Sequence, residues 1–194
     1  MPQFVEFKTE SRLRSNGQPP SDAMTAERIY LGLGANLGDR LANLSQALHQ
    51  LACLPETVLL NYSSIYESHP LGQLKQNDYL NMVVLVGSTL APEALLAACQ
   101  RIERELGRVR TGKWDARPID IDILYWGDRV LNAPALQIPH PEAARRDFVL
   151  VPIREITPDF CAPPGGTPVD ELLSAIPEPT GLRLFLPKER YVAC

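Results

Sequence analysis

Along the first two-thirds of the chain the spacing of apolar residues switches repeatedly between strand and helix periods. Residues 29–34 (IYLGLG) are a run of apolar residues and glycines and predict a strand, with Asn36, Gly38 and Asp39 supplying turn and helix-start chemistry after it. From Arg40 onward Leu41, Leu44, Leu48 and Leu51 recur at helical spacing, and Pro55 ends that helix. Residues 57–67 (TVLLNYSSIYE) are rich in β-branched and aromatic side chains and read as a second strand, running into the loop SHPLGQLKQND. A third strand, YLNMVVLV at 79–86, leads to Pro92 at a helix start and to Leu95, Cys99, Ile102 and Leu106 on one helix face, with Gly107 as the stop. The loop RVRTGKWDAR and Pro118 then precede a fourth strand, IDIDILYW at 119–126, which alternates apolar and polar at its start.

The order β-α-β-β-α-β predicts an α+β fold of the ferredoxin-like kind, an antiparallel sheet with both helices packed on one face. Beyond it, FVLVPIREI reads as a helix under the sheet. From Thr157 the chain carries seven of its 18 prolines, which predicts irregular structure. The domain plan is therefore a disordered N-terminal extension over 1–27, a catalytic domain over 28–165 and an irregular C-terminal tail over 166–194.

Composition narrows the class. At 194 residues, 45% hydrophobic and 22% charged, the chain is long enough for a full core and ordinary for a globular protein. No apolar run reaches membrane-spanning length, and the N-terminal stretch lacks the basic-then-apolar pattern of a secretory signal, so a cytoplasmic location is expected. Cys53, Cys99, Cys161 and Cys194 are widely spaced with no C-x-x-C, which points to reduced thiols rather than a zinc site or disulfide framework. A net charge of −4 disfavours nucleic-acid binding. A monomer is the default expectation.

Candidate chemistry gathers at the fourth strand. Asp120 and Asp122 are two apart, so both carboxylates project from one face while Ile119, Ile121 and Ile123 point to the other. Their Cα atoms lie about 7 Å apart, within reach of a shared metal ion or a pair of ions, and hard oxygen ligands suit magnesium. For an isolated D-x-D a solvated strand end is the commoner reading. Upstream, however, Arg108, Arg110, Lys113 and Arg117 place four cations within ten residues. Cations beside paired carboxylates suit polyphosphate transfer, where metal ions and arginine forks neutralise phosphate oxygens. There is no G-x-x-x-x-G-K-[ST], and GLGANLG has the wrong glycine spacing for a dinucleotide fingerprint, so Gly32 and Gly34 read as structural. Asn81 is a polar residue inside an apolar strand, sharing a face with Tyr79. It suits either a neighbouring backbone group or a flat heterocycle bearing amide and amine groups, with Tyr79 or Phe148 as a stacking face. His140, in IPHP, is either structural or part of a phosphate-binding wall with Arg146, and Trp114 in a basic loop suits stacking or lid closure.

The segment GKWDARPIDIDIL resembles the signature of the 6-hydroxymethyl-7,8-dihydropterin pyrophosphokinases. The similarity runs from YLGLGANLGDR near Tyr30, through YESHPLG, DYLN and GRVR, to IPHP and FVLVP near Pro152, covering roughly two-thirds of the chain in order. The resemblance implies a ferredoxin-like fold and a step of folate biosynthesis, in which ATP and two magnesium ions give AMP and the pterin diphosphate. It implies that Asp120 and Asp122 ligate both ions and, with Arg108 and Arg117, form the catalytic set. Arg108, Arg110, Trp114, Arg117, His140 and Arg146 would meet the nucleotide or its phosphates, Trp114 and Arg117 riding on a loop that closes, with Glu103 nearby. For the pterin it implies stacking by Tyr79 and Phe148, hydrogen bonding by Asn81 and backbone contacts from Ser68 through Pro70 to Leu71. The chain departs from the pattern at Ala135, where many relatives have Arg, and at Ser68-His69, where they have Thr-Pro. The rival readings are a sheet-surface RNA binder, which lacks its basic-aromatic motif here, and a metal-dependent phosphohydrolase using the same aspartates without a pterin.

Overall fold

The computed structural model describes residues 26–70, 76–109, 116–177 and 179–191. Strand β1 (Glu27–Ala35) lies inside the main sheet, between β4 (Tyr79–Ser88) and β5 (Asp120–Trp126), antiparallel to both. Its alternation decides the layers. Ile29, Leu31, Leu33 and Ala35 face one core, while Tyr30 faces another. Helix α1 (Arg40–Ala52) starts at Asp39, whose carboxylate accepts the Ala42 N–H at 3.0 Å, and it buries Leu44, Ala47, Leu48 and Leu51. Helix α2 (Pro92–Glu105), with Pro92 in its first turn, buries Leu95, Cys99 and Ile102 in the same core. Both helices therefore cover one face, as the β-α-β-β-α-β order predicts.

The stretch 57–67 is not one strand. It forms β2 (Thr57–Tyr62) and β3 (Ile65–Ser68), both antiparallel to β4, broken at Ser63-Ser64. Side chains explain the break. The Ser63 N–H still donates to the Val83 carbonyl at 2.9 Å, but the Val83 N–H donates to Ser63 Oγ at 3.0 Å, and Ser64 donates its N–H and its hydroxyl to the Glu155 carboxylate at 3.0 and 2.7 Å, so side-chain bonds take over part of the ladder there. Within β5, Leu124 is an extra residue against β1, since Tyr30 pairs with Tyr125 and Leu31 with Ile123. The bulge turns Leu124 and Tyr125 together to the second core and returns Trp126 to the first.

A hairpin, β6 (Leu131–Ala133) and β7 (Leu136–Ile138), follows. Helix α3 (Asp147–Ile156) then packs Val149, Leu150, Ile153 and Ile156 on the sheet face opposite α1 and α2, making a third layer. The remainder, expected to be an irregular tail, contains regular elements. Strands β8 (Cys161–Ala162) and β9 (Thr167–Pro168) pair, α4 (Val169–Ser174) adds Val169 to the second core, and β10 (Arg183–Leu186) joins the main sheet beside β3. Proline content predicted the interruptions between these pieces. It carried no information on the pairing of Arg183 with Glu67, which is a long-range contact.

Candidate active site

Helix α3 leaves one end of its sheet face uncovered, and a cleft of about 710 Å³ opens there. Strand register sets its floor. Asn81 of β4 pairs with Gly34 of β1, which pairs with Asp120 of β5; one step along, Val83, Gly32 and Asp122 form a parallel row. Neighbouring strands are about 4.8 Å apart, so Asn81 and Asp120 stand roughly 10 Å from each other. Gly34 leaves the space between them free, because a Cβ there would come within 3.3 Å of Asn81 Oδ1. A Cβ on Gly32 would sit 3.2 Å from Leu124 Cδ1. The two glycines thus form the open floor of the cleft rather than serving the strand alone.

At one end of the row Asp120 meets two cations. Arg117 Nη1 lies 2.6 Å from its Oδ2, and Arg108 Nη1 bridges its Oδ1 to Glu103 Oε1. Glu103, buried on α2, also accepts the Ile121 N–H at 2.9 Å and so fixes β5 against the helix. Arg117 is held through its backbone as well: its N–H donates to Asn36 Oδ1 at 2.7 Å and its carbonyl accepts the Asn36 N–H at 3.1 Å. The Asp122 carboxyl is pushed up to about 7, first by burial and then by the Asp120 charge, with Arg146 pulling the other way. That strain marks a place where extra positive charge is favourable. Among the described residues no group of three or more His, Cys, Asp or Glu side chains converges as a metal cage. Two carboxylates alone match magnesium, which binds through one or two of them and takes its other ligands from water and substrate phosphates.

The walls are basic on one side and flat on the other. Arg146 stacks its guanidinium over Phe148, 5.6 Å from the ring centroid, and its buried Nε has no hydrogen-bond partner among the described residues. His140 accepts the Glu142 N–H on Nδ1 at 3.2 Å, which puts the ring proton on Nε2, and burial followed by the Arg146 charge depresses its pKa. Opposite, Asn81 Nδ2 donates to Ser68 Oγ at 2.9 Å, and the Tyr79 hydroxyl donates to Gln76 Oε1 at 3.4 Å.

Arg108, Arg117, Asp120, Asp122, His140, Arg146, Ser68, Pro70, Tyr79, Asn81 and Phe148 all line this one cleft. Leu71, Arg110 and Trp114 lie outside the described residues. The structure adds Gln76, Leu96, Gln100 and Gln137 to the lining. Nothing in the sequence pattern singled these out. Asn36, read from sequence as turn chemistry, is instead a fully buried clasp on Arg117.

The family model of the 7,8-dihydro-6-hydroxymethylpterin-pyrophosphokinases (HPPK) matches residues 30–158, about two-thirds of the chain. The chain belongs to this family. Among HPPK relatives, a 2-amino-4-hydroxy-6-hydroxymethyldihydropteridine pyrophosphokinase of Pseudomonas aeruginosa is 41% identical over 151 residues, 78% of this chain and 93% of that protein. A protein of the same name from Haemophilus influenzae is 42% identical over 134 residues, 69% of this chain and 84% of its own. A folic acid synthesis protein of Schizosaccharomyces pombe is 36% identical over 92% of this chain, which spans only 24% of that protein. A crystal structure of Plasmodium falciparum HPPK-DHPS superposes with a TM-score of 0.62 at 16% identity, covering 77% of this chain and 45% of that one. That likeness bears on the fold alone. This chain spans less than half the length of that HPPK-DHPS chain. No helix among the described residues is long and apolar enough to cross a membrane.

Proposed function

We infer that this chain catalyses the reaction of the HPPK family, transferring the pyrophosphoryl group of ATP to 6-hydroxymethyl-7,8-dihydropterin and releasing AMP and the pterin diphosphate. The observation that carries the assignment of residues is the register row Asn81, Gly34, Asp120, which joins an amide hydrogen-bonding wall to a carboxylate pair across an open floor. The pterin lies at the Asn81 end, stacked by Tyr79 and Phe148 and contacted by the backbone of Ser68–Leu71. The phosphates lie toward Asp120 and Asp122, neutralised by Arg108, Arg110, Arg117 and Arg146, with Trp114 on the nucleotide side. His140, neutral at physiological pH, donates Nε2–H to a phosphate oxygen.

Two magnesium ions held by Asp120 and Asp122 supply charge stabilisation on the phosphate oxygens when bound. The chain's own residues do the positioning. The pterin hydroxymethyl oxygen bonds to the β-phosphorus and gives up its proton to solvent, while the bond from that phosphorus to the α,β-bridging oxygen breaks, the electron pair leaving with AMP. Holding the two reactants in line removes much of the entropic barrier. Arg108 and Arg117 carry the catalytic burden on the protein side, since each carries a fixed charge beside the reacting phosphates. Closure of the segment 108–117 over the cleft excludes water and suppresses ATP hydrolysis. The enzyme is read as a cytoplasmic monomer without a nucleic-acid or membrane partner, and light scattering on the full chain tests the oligomeric state.

Release of AMP from ATP and magnesium, with and without the pterin, tests the function, with Asp122→Ala as control. Pterin-dependent AMP that disappears in the variant is the expected result. AMP formed regardless of pterin would make the chain a phosphohydrolase.

A further inference from the structure

The two walls assigned to the pterin belong to elements far apart in the chain: Ser68, His69 and Pro70 follow or end β3, while Phe148 stands in the first turn of α3. What ties them together is Thr180, beyond the last residue matched by the family model. The Thr180 N–H donates to Asp147 Oδ2 and its hydroxyl to Asp147 Oδ1, both at 2.7 Å. Asp147 Oδ1 also accepts the Phe148 N–H at 2.8 Å. On its other side, the Thr180 carbonyl accepts the His69 N–H at 3.0 Å. Asp147 and Thr180 are 7% and 8% exposed, so water is poorly placed to substitute for these bonds.

The following residues fit that bridge closely. Gly181 adopts φ +66°, and a Cβ there would lie 2.8 Å from His69 Cδ2, so the chain passes hard against the His69 ring. Beyond it β10 pairs with β3, and Arg183 binds Glu67 at 2.7 Å and reaches Asp78 at 3.7 Å. The segment 179–186 is therefore wedged between the two walls and bonded to both.

We propose that Thr180 and Asp147 are positioning residues for the pterin: they form a clamp that sets the separation between the Ser68–Pro70 wall and Phe148. This rests on the pterin reading given above. A flat ring held between two faces gains its dispersion and hydrogen-bond energy only over a narrow range of wall separation, and small displacements are costly. The clamp's hydrogen bonds reach neither Asp120, Arg108 nor Arg117, and its one link to the phosphate side is Arg146, which lies over Phe148, so its loss falls chiefly on the pterin.

Steady-state AMP release with the pterin and then ATP varied, in the full chain, decides this. Thr180→Val keeps the shape and the backbone N–H but removes the hydroxyl, whereas Thr180→Ser retains it. Thr180→Val is expected to raise the pterin KM on the order of five- to tenfold, with the ATP KM and kcat changed by less than about twofold, and Thr180→Ser to return the wild-type pterin KM. Should Thr180→Val not be recovered folded, Asp147→Asn decides by the same split. An unchanged pterin KM in a folded variant, or pterin and ATP KM rising together, overturns the clamp. A wild-type chain without pterin-dependent AMP release overturns the functional reading and the clamp with it.

Discussion

Asn36 and Arg117 hold each other through two reciprocal bonds, side-chain carbonyl to backbone N–H at 2.7 Å and backbone N–H to carbonyl at 3.1 Å. The pair closes the turn after β1 onto the approach to β5, so the arginine that grips Asp120 is fixed at its own backbone. Asn36 is fully buried, and its Nδ2 also donates to Gln76 at 3.2 Å. Asn36→Ala leaves the Arg117 N–H without an acceptor, costing about 1–3 kcal/mol of stability. It also frees Arg117 to wander, so kcat should fall on the order of tenfold or more. Urea unfolding and initial rates measured on one preparation check both; a stability loss with kcat intact would confine Asn36 to a structural role.

Gly34→Ala addresses the cleft floor. Its Cβ would lie 3.3 Å from Asn81 Oδ1, a tight contact that pushes the amide from its bond to Ser68. Alanine suits a strand at least as well as glycine, so folding should be little affected. Gly32→Ala meets the buried side chain of Leu124 and not Asn81. The pterin KM is therefore expected to rise severalfold in the Gly34 variant and less in the Gly32 variant; the reverse order would mean that Asn81 does not contact the pterin.

These positions show how far sequence alone reaches. Strand periodicity places Asp120 and Asp122 on one face with Ile121 and Ile123 on the other, and helical leucine spacing locates α1, because both patterns are local. Gly34 could not be read in the same way. Its importance comes from facing Asn81 in the register of β1 and β4. The break at Ser63-Ser64 likewise depends on Glu155, 91 residues away, and β10 on Arg183 reaching Glu67 across 116 residues. Local propensity carries no record of such partners.

Glu103 offers a separate test of the buried charge network. It braces the Ile121 N–H and Arg108 together, and it is only 3% exposed. Glu103→Ala leaves the buried Ile121 N–H short of its acceptor and the part-buried Arg108 guanidinium with Asp120 alone, and should cost about 2–4 kcal/mol. Glu103→Gln keeps an acceptor for Ile121 and loses only the charge, so a cost nearer 1–2 kcal/mol is expected. Denaturant unfolding of the two variants separates them, and equal losses would place the stabilisation in packing rather than in the bonds.

The raised Asp122 carboxyl makes stability depend on pH in a direction opposite to that of most paired carboxylates. An unfolded aspartate titrates near 3.9, whereas burial and the Asp120 charge push this one up to about 7. The folded chain therefore holds the proton more tightly than the unfolded one. Its contribution is fully present below the unfolded value and is lost as pH rises toward and through about 7. Asp122→Asn carries no ionisable group there, so its stability relative to wild type should grow between about pH 4 and about pH 7, by at most about 1.4 kcal/mol for each pH unit, and level off above. Magnesium favours the ionised pair, so its stabilisation of wild type should be greater at the upper end of that range and absent in the variant. Urea unfolding across the range, with and without magnesium, tests both arms. A constant gap between the two proteins would mean that Asp122 is already ionised throughout, and that the charge of Arg146 outweighs both burial and its acidic neighbour.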